Sequence, residues 1–407
     1  MPPAAVVSPE RLHLVTRTRS ERERRSTDRL HGLLGIPPTT GNDVRVLRNG
    51  DEIFPAMIGA IDAATDTVDL VTFVYWQGAI AVEFADALVR AARRGLRVRV
   101  LLDAVGARKI EDGLMELMKE AGCDVRWFRP FFDKAVPKIA EANRRTHRKI
   151  LVCDNEVGFC GGVGIADEWT GDARDETEWR DTHLAIRGPA VAGLLGAFLD
   201  NWADQHDDGF DPRGERDVEL SEAGSSTLFV VRGSAETGAS DVWRMIMSVV
   251  SMAEKRLIIA TAYFNPDSHV RNALVAAVRR GVHVTLMVPG EHADKRFIQV
   301  TGEESYQYLL DEGIDIRTYE TSMMHAKVIT VDDHLATVGS TNFNQRSMQH
   351  DEEANVVIVD EDIVSILNEH LEHDLTQTIE LDPARWADRS MLQKGVEKVS
   401  TVVDKWL

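Results

Sequence analysis

HRKILVCD, residues 147–154, sets a histidine, a lysine and an aspartate into an apolar, β-branched run, and HAKVITVD, residues 325–332, repeats the spacing far down the chain. On a β-strand, residues i and i+2 face the same side, so His147 projects with Lys149 and His325 with Lys327. Asp154 and Asp332 stand five residues beyond the lysines, an odd spacing. They therefore point away from the pairs or end the strands, where a carboxylate orients structure and does not meet a ligand.

Each motif is followed, at the same distance, by a pair of small residues: Gly161-Gly162 in GFCGGVGIADEW and Gly339-Ser340 in TVGSTNFNQRS. Small residues let a backbone approach a ligand and expose its N–H groups. Asn342 adds a side-chain donor in the second copy. A further strand in each copy carries an acid, Asp181 in WRDTHLAIRG and Glu353 in EEANVVIVD. Each acid either holds one ring nitrogen of a histidine, raising the basicity of the other, or is an ordinary strand-end acid. Glu352 is the immediate neighbour of Glu353.

The motifs lie in a repeated frame. TVDLVTFVYW, IAVEFADALVRAARRG and LRVRVLLDAVG read as strand, helix, strand; KRLIIATAYF, SHVRNALVAAVRRG and VHVTLMVPG repeat that order. Two βαβ-type halves with parallel strands are expected. The expected organisation is a charged, helical or loose arm over 1–45, a first half over 46–206, a linker over 207–226, a second half over 227–375 and an amphipathic helix over 376–407. In that helix Leu392, Val396, Val399, Val403 and Trp406 share one stripe, which docks on the body or meets lipid. Tyr75 and Tyr263 occupy matching places in the copies, in the core or lining a pocket. Asp103, at a strand end, is a weak candidate for contacting a polar headgroup. Arg144 and Arg145 either contact an anionic headgroup or sit in a solvated loop.

Composition narrows the class. Lys and Arg number 47 against 66 Asp and Glu, a formal charge of -19 that repels polyanions, so no nucleic-acid partner is expected. Cys123, Cys153 and Cys160 form no disulfide framework and no zinc spacing, which favours a reducing compartment. No signal-peptide core is present and no apolar run is long enough to span a bilayer. The expected location is the cytoplasm, with peripheral contact at the inner face of the cell membrane.

Brought together, two histidines, two lysines and two acids suit a phosphodiester. The lysines, with Asn342 and backbone donors, offset phosphoryl charge without a metal, and no cofactor is expected. One histidine attacks phosphorus while the other protonates the leaving alcohol; the roles reverse as an acceptor enters. A single motif arises by chance on a strand, whereas two copies in one repeated frame point to catalysis.

In these paired HxKxxxxD motifs, from about residue 46 to 375, the chain resembles the phospholipase D superfamily. HRKILVCDNEVGFCGGVGIADEW, WRDTHLAIRGPAV and HAKVITVDDHLATVGSTNFNQRS are most similar to the bacterial cardiolipin synthase branch. The resemblance implies an α/β fold of two pseudo-symmetric α-β-α halves in one bilobal unit, with the active site at their interface. It implies transfer of a phosphatidyl group between two phosphatidylglycerol molecules, giving cardiolipin and glycerol through a phosphohistidine. The motif residues His147, Lys149, Asp154, His325, Lys327 and Asp332 then form the catalytic set, supported by Gly162, Asp181, Ser340, Asn342 and Glu353. By the same resemblance His147 is the nucleophile and His325 the acid/base. The alternative is a phospholipase D-type hydrolase, acting on lipid in preference to nucleic acid, and a non-catalytic scaffold is a third reading. The chain departs from the family in two respects. Gly164 stands where the family has an asparagine after the Gly-Gly pair, which removes one donor from the first half. Many members begin with membrane-spanning helices, and no such run occurs here, so a bilayer substrate has to be reached from its surface, or the substrate is not a bilayer lipid.

Overall fold

Each copy of the repeated signal folds into the same succession of strands. The computed structural model describes residues 20–130, 144–205, 221–234, 241–294, 303 and 305–388. Helix α1 (Glu21–Leu34) leads into a first half of β1 (Thr39–Arg48), α2 (Asn49–Ala63), β2 (Thr67–Thr72), α3 (Ala79–Arg93), β3 (Arg97–Asp103), α4 (Asp112–Glu120), β4 (Asp124–Phe128), β5 (Ile150–Cys153), β6 (Val157–Gly161), β7 (Thr182–Arg187) and α5 (Val191–Ala203). The second half runs β8 (Ser226–Gly233), α6 (Asp241–Met252), β9 (Arg256–Ala260), β10 (Phe264–Asn265), α7 (Ser268–Arg279), β11 (His283–Pro289), α8 (Tyr306–Asp311), β12 (Asp315–Tyr319), β13 (Val328–Val331), β14 (Leu335–Gly339), β15 (Phe343–Asn344), α9 (Gln345–Gln349), β16 (Glu353–Val359) and α10 (Glu361–Leu375). After it come β17 (Thr378–Glu380) and α11 (Pro383–Ala387).

Among the described residues one sheet takes fifteen of these strands, in the order β17-β12-β11-β9-β13-β14-β16-β8-β1-β7-β6-β5-β2-β3-β4. Read outward from the β1–β8 seam, the two halves give the same sequence of positions. β5 corresponds to β13, β6 to β14 and β7 to β16.

Parallel pairing holds for β2, β3 and β4, and for β9, β11 and β12. Their apolar, β-branched runs suit strands covered on both faces. The motif strands depart from the all-parallel expectation: β5 is antiparallel to β2 and β6, and β13 to β9 and β14. The cause is local. Each motif strand ends in a tight reversal through residues of positive φ, Asp154 (55°) and Asn155 (57°) in one half and Asp332 (53°) in the other. Asp and Asn enter this conformation more readily than other non-glycine residues, and a hairpin makes its strands antiparallel.

The core has three parts. In the first half α3 buries Ile80, Phe84 and Leu88, one helical stripe, against the sheet with Leu70 and Val100. In the second half α6 and α7 bury Val242, Ile246, Val249, Val270 and Leu274 in the same way. The third part joins the halves. Val71, Ile150, Val152 and Leu184 of the first meet Ile258, Val328, Val338 and Val356 of the second, together with α5 and α10. A shared apolar core fixes how the two motifs face one another.

The expected boundaries shift at both ends. Strand β1 opens at Thr39, so the first half includes residues assigned to the arm. Helix α1 starts with a capping box between Ser20 and Glu23, and it buries Leu30 and Leu34 in the second half's core. Residues 376–388 are not one continuous helix: β17 adds to the sheet edge beside β12, and α11 follows. The stripe from Leu392 to Trp406 lies outside the described residues, as does most of the 207–226 linker. No helix among the described residues is long and apolar enough to cross a membrane. The three cysteines are free and buried.

Candidate active site

His147 and Lys149 lie in the extended segment entering β5, and His325 and Lys327 in that entering β13. Backbone hydrogen bonds tie each segment to the other half: His147 N–H donates to Glu352 O (2.8 Å) and His325 N–H to Arg180 O (2.8 Å). These bonds place the residue after each acceptor beside the histidine. His147 Nδ1 lies 3.1 and 3.2 Å from the Glu353 carboxylate oxygens, and His325 Nδ1 lies 2.7 Å from Asp181 Oδ2. The acid of each half thus engages the histidine of the other. The sequence places acid and histidine at equivalent positions of each copy but does not show that the pairs cross.

Each carboxylate is held in turn. Ser340 Oγ–H donates to Glu353 Oε2, and Ser340 Oγ accepts from Ala354 N–H (3.0 Å). Asp181 Oδ1 accepts from Thr182 N–H (2.8 Å) and Asp181 Oδ2 from Trp169 Nε1–H (2.9 Å). A Cβ at Gly162 would stand 2.3 Å from Asp181 Oδ1, so this glycine makes room for the acid. Asn342 is buried, and its Oδ1 has no protein partner among the described residues. A Cβ at Gly164 would meet Val74 at 2.7 Å and Trp169 at 3.2 Å, which accounts for the absence of an asparagine in the first half.

The lysines fold back on their motifs. Lys149 Nζ donates to His147 O (2.8 Å), and Lys327 Nζ donates to His325 O while standing 3.0 and 3.1 Å from that ring's nitrogens. Burial dominates the electrostatics. It pushes the Lys149 ammonium down to about 8 and that of Lys327 down to about 7. Burial, then the neighbouring lysine, pushes His147 down to about 4 and His325 down to about 3. Burial alone would raise Glu353 and Asp181. The facing histidine and lysines outweigh it and hold both below the usual carboxylate range. In the free protein the site therefore favours two neutral imidazoles beside two carboxylates. With Nδ1–H directed at the acid, each ring carries its lone pair on Nε2.

Asp154 and Asp332 sit at the far ends of the motif strands. Asp154 accepts the N–H groups of Thr65 (2.8 Å), Asp66 (2.8 Å) and Thr67 (2.9 Å). Asp332 accepts those of Glu254 (3.2 Å), Lys255 (2.8 Å) and Arg256 (2.9 Å). Each carboxylate pins the turn that leads into the neighbouring antiparallel strand, β2 for Asp154 and β9 for Asp332.

Two neighbours, Arg145 and Asp103, differ from the sequence reading. Arg145 is buried, donating to Asp103 (3.0 Å) and Phe128 O (2.6 Å), so the two headgroup candidates bind each other. Tyr75 is a core residue whose hydroxyl donates to Ala81 O (2.7 Å); the Tyr263 hydroxyl donates to Asp294 (2.7 Å). The sequence reading missed Arg148, which is fully buried and donates to Ala197 O, Gly233 O and Glu352. It also missed Arg180, which pairs with Asp374 at 2.8 Å, and Trp169. Arg148 inside the first motif and Arg180 beside Asp181 were the available signals, since a buried arginine needs a partner. Among the described residues no group of three or more His, Cys, Asp or Glu is arranged to hold a metal ion.

The sequence matches the family model described as cardiolipin synthase, PLD-like domain, over residues 57–181 and 246–375, one segment in each half. It is similar to cardiolipin synthase 2 of Bacillus anthracis, 32% identical over 384 residues that cover 92% of this chain and 72% of that protein. It is also similar to cardiolipin synthase B of Salmonella typhimurium, 32% identical over 363 residues, 87% of this chain and 84% of that protein. In fold it is similar to the crystal structure of phosphatidylserine synthase from Haemophilus influenzae, with a TM-score of 0.69 at 14% identity, covering 95% of this chain and 97% of that one.

Proposed function

Because the chain belongs to the cardiolipin synthase family with phospholipase D-like domains, we propose that it joins two phosphatidylglycerol molecules into cardiolipin and releases glycerol. The observation that carries this reading is the crossed pairing of His147 with Glu353 and His325 with Asp181. It turns the Nε2 of each imidazole away from its acid, one to attack and the other, once protonated, to act as acid, with a lysine in each motif, the groups that a two-step transfer at phosphorus requires.

In the first step His147 Nε2 attacks phosphorus of one phosphatidylglycerol. The bond to the glycerol oxygen breaks, and that oxygen takes a proton from His325. In the second step a hydroxyl of another phosphatidylglycerol gives its proton to His325, and its oxygen displaces His147 from phosphorus. The side chain of His147 is the more exposed of the two, 12% against 7% for His325, which supports its role as nucleophile. The incoming phosphodiester supplies the negative charge that the site lacks. Its arrival raises the proton affinity of the lysines and of His325, so that His325 Nε2 takes up a proton from solvent and holds it for the leaving alcohol. Lys149 and Lys327 hold the developing charge on the equatorial oxygens. The lipid is met at the cytoplasmic membrane surface by peripheral contact.

Incubation of the protein with phosphatidylglycerol vesicles, followed by mass spectrometry of lipids and water-soluble products, tests the reading. Cardiolipin with free glycerol is expected. Phosphatidic acid with glycerol and no cardiolipin would assign the site to hydrolysis.

A further inference from the structure

The two halves support their acids with different donors. Strand register sets Gly161 opposite His183 and Gly339 opposite Asn355, so Gly162 and Ser340 are matching positions. In the second half Ser340 donates its hydroxyl to Glu353. In the first half glycine occupies that place and offers no side chain. Trp169 fills the gap from elsewhere: it is 2% exposed, and its Nε1–H donates to Asp181 Oδ2, the oxygen that also faces His325 Nδ1. By the same count Trp169 matches Ser347, a small residue whose hydroxyl accepts from Asn342 N–H (3.4 Å) and does not bond the acid. The indole also walls the ring of His325 edge-on, with centroids 5.0 Å apart at 88°, and Trp179 lies 5.4 Å away on another side.

We propose that Trp169 is a positioning residue for His325, supplying Asp181 with the hydrogen bond that Ser340 supplies to Glu353. The proposal rests on His325 acting as the acid/base of phosphatidyl transfer. A donor on the carboxylate draws charge away from the bond to the imidazole. Asp181 therefore holds the ring's tautomer without retaining its proton too strongly, and the proton on Nε2 stays transferable. A hydroxyl and an indole differ in acidity and reach, so two histidines in nearly symmetric settings acquire unlike proton affinities. His325 also faces Lys327 from its own segment and Lys149 from the other motif.

Trp169→Phe keeps the aromatic wall and removes the N–H. With phosphatidylglycerol vesicles, kcat is expected to fall about 10- to 100-fold with KM nearly unchanged. The acid limb of the kcat profile should move to higher pH, because Asp181 without its indole donor binds the His325 proton more strongly. A kcat profile that superimposes on that of the wild-type protein, or one that drops without moving along the pH axis, overturns the proposal. Where Trp169→Phe does not fold, the wild-type protein gives the same answer by NMR. One tryptophan indole proton should lie downfield and shift between the protonated and neutral states of His325; none doing so overturns the assignment. Absence of turnover by the wild-type protein strikes at phosphatidyl transfer itself, and the indole titration stays readable in that case.

Discussion

Asp181 of the first half lies 2.7 Å from His325 of the second, and Glu353 returns the relationship by engaging His147 at 3.1 Å. Neither half contains a complete histidine–acid pair. The site exists only where the halves meet, and the shared apolar core fixes that meeting.

Removing the charge of either acid should therefore disable the histidine across the interface. Asp181→Asn and Glu353→Gln are each expected to lower kcat by ~10²–10⁴ with small changes in KM, because the histidine each one faces loses the tautomer its step needs. Adding Glu353→Gln to His147→Ala should cost little more than His147→Ala alone, since the pair acts as a unit. Additive losses in that double variant would show that Glu353 acts independently of His147.

The pH dependence follows from the buried cations. In the free protein Lys327 loses its proton near pH 7 and Lys149 near pH 8, so kcat/KM should decline as pH rises through that range. On the acid side the decline begins where His147 gains a proton, at about 4. Lys327→Arg retains a charge at all these pH values, so the alkaline limb should move up toward that of Lys149. A flat profile from about pH 5 to 9 contradicts this arrangement.

The same burial makes the lysines costly to the fold. Lys327 is held at about 7 against 10.5 in the unfolded chain, so the charged form destabilises the native state at every pH below 7. The cost fades as pH rises from 7 toward 10.5 and the native lysine becomes neutral. Lys327→Met should abolish transfer and raise Tm at pH 6, by on the order of 2–4 °C for each ~1 kcal/mol recovered. The gain should shrink at pH 9. An unchanged or lower Tm at pH 6 would show that the hydrogen bonds of Lys327 outweigh its desolvation.

The motif aspartates should behave differently. Asp154→Ala leaves three backbone N–H groups without their acceptor, for a loss of about 1–3 kcal/mol of stability. Thermal melts should show that loss, while kcat of the folded fraction stays close to that of the wild-type protein. A collapse of kcat without a change in Tm would assign Asp154 to the chemistry.

Much of this architecture was legible in the sequence because duplication carries its own control. A histidine and lysine two apart mean little once, but a second copy with the same glycine or serine sequel constrains both. Strand-helix-strand order predicted the parallel strands on each side. It missed the antiparallel motif hairpins because their signal is only a positive-φ Asp-Asn or Asp at the strand end. The crossing of acids and histidines depends on which strands meet across the seam, which linear spacing does not encode. Arg145 and Asp103 looked free because a sequence does not show that they bind each other. Trp169 escaped notice because its indole bonds an acid twelve residues away by way of an irregular loop.

The most direct test of the account is to find where the phosphatidyl group rests. Phosphatidylglycerol labelled at phosphorus would be mixed with the wild-type protein, quenched during turnover under alkaline conditions and digested for peptide mass spectrometry. The account predicts phosphatidyl on His147, absent from His147→Ala. Label on His325 in the wild-type protein, or cardiolipin formation with no modified histidine at any time point, would contradict it.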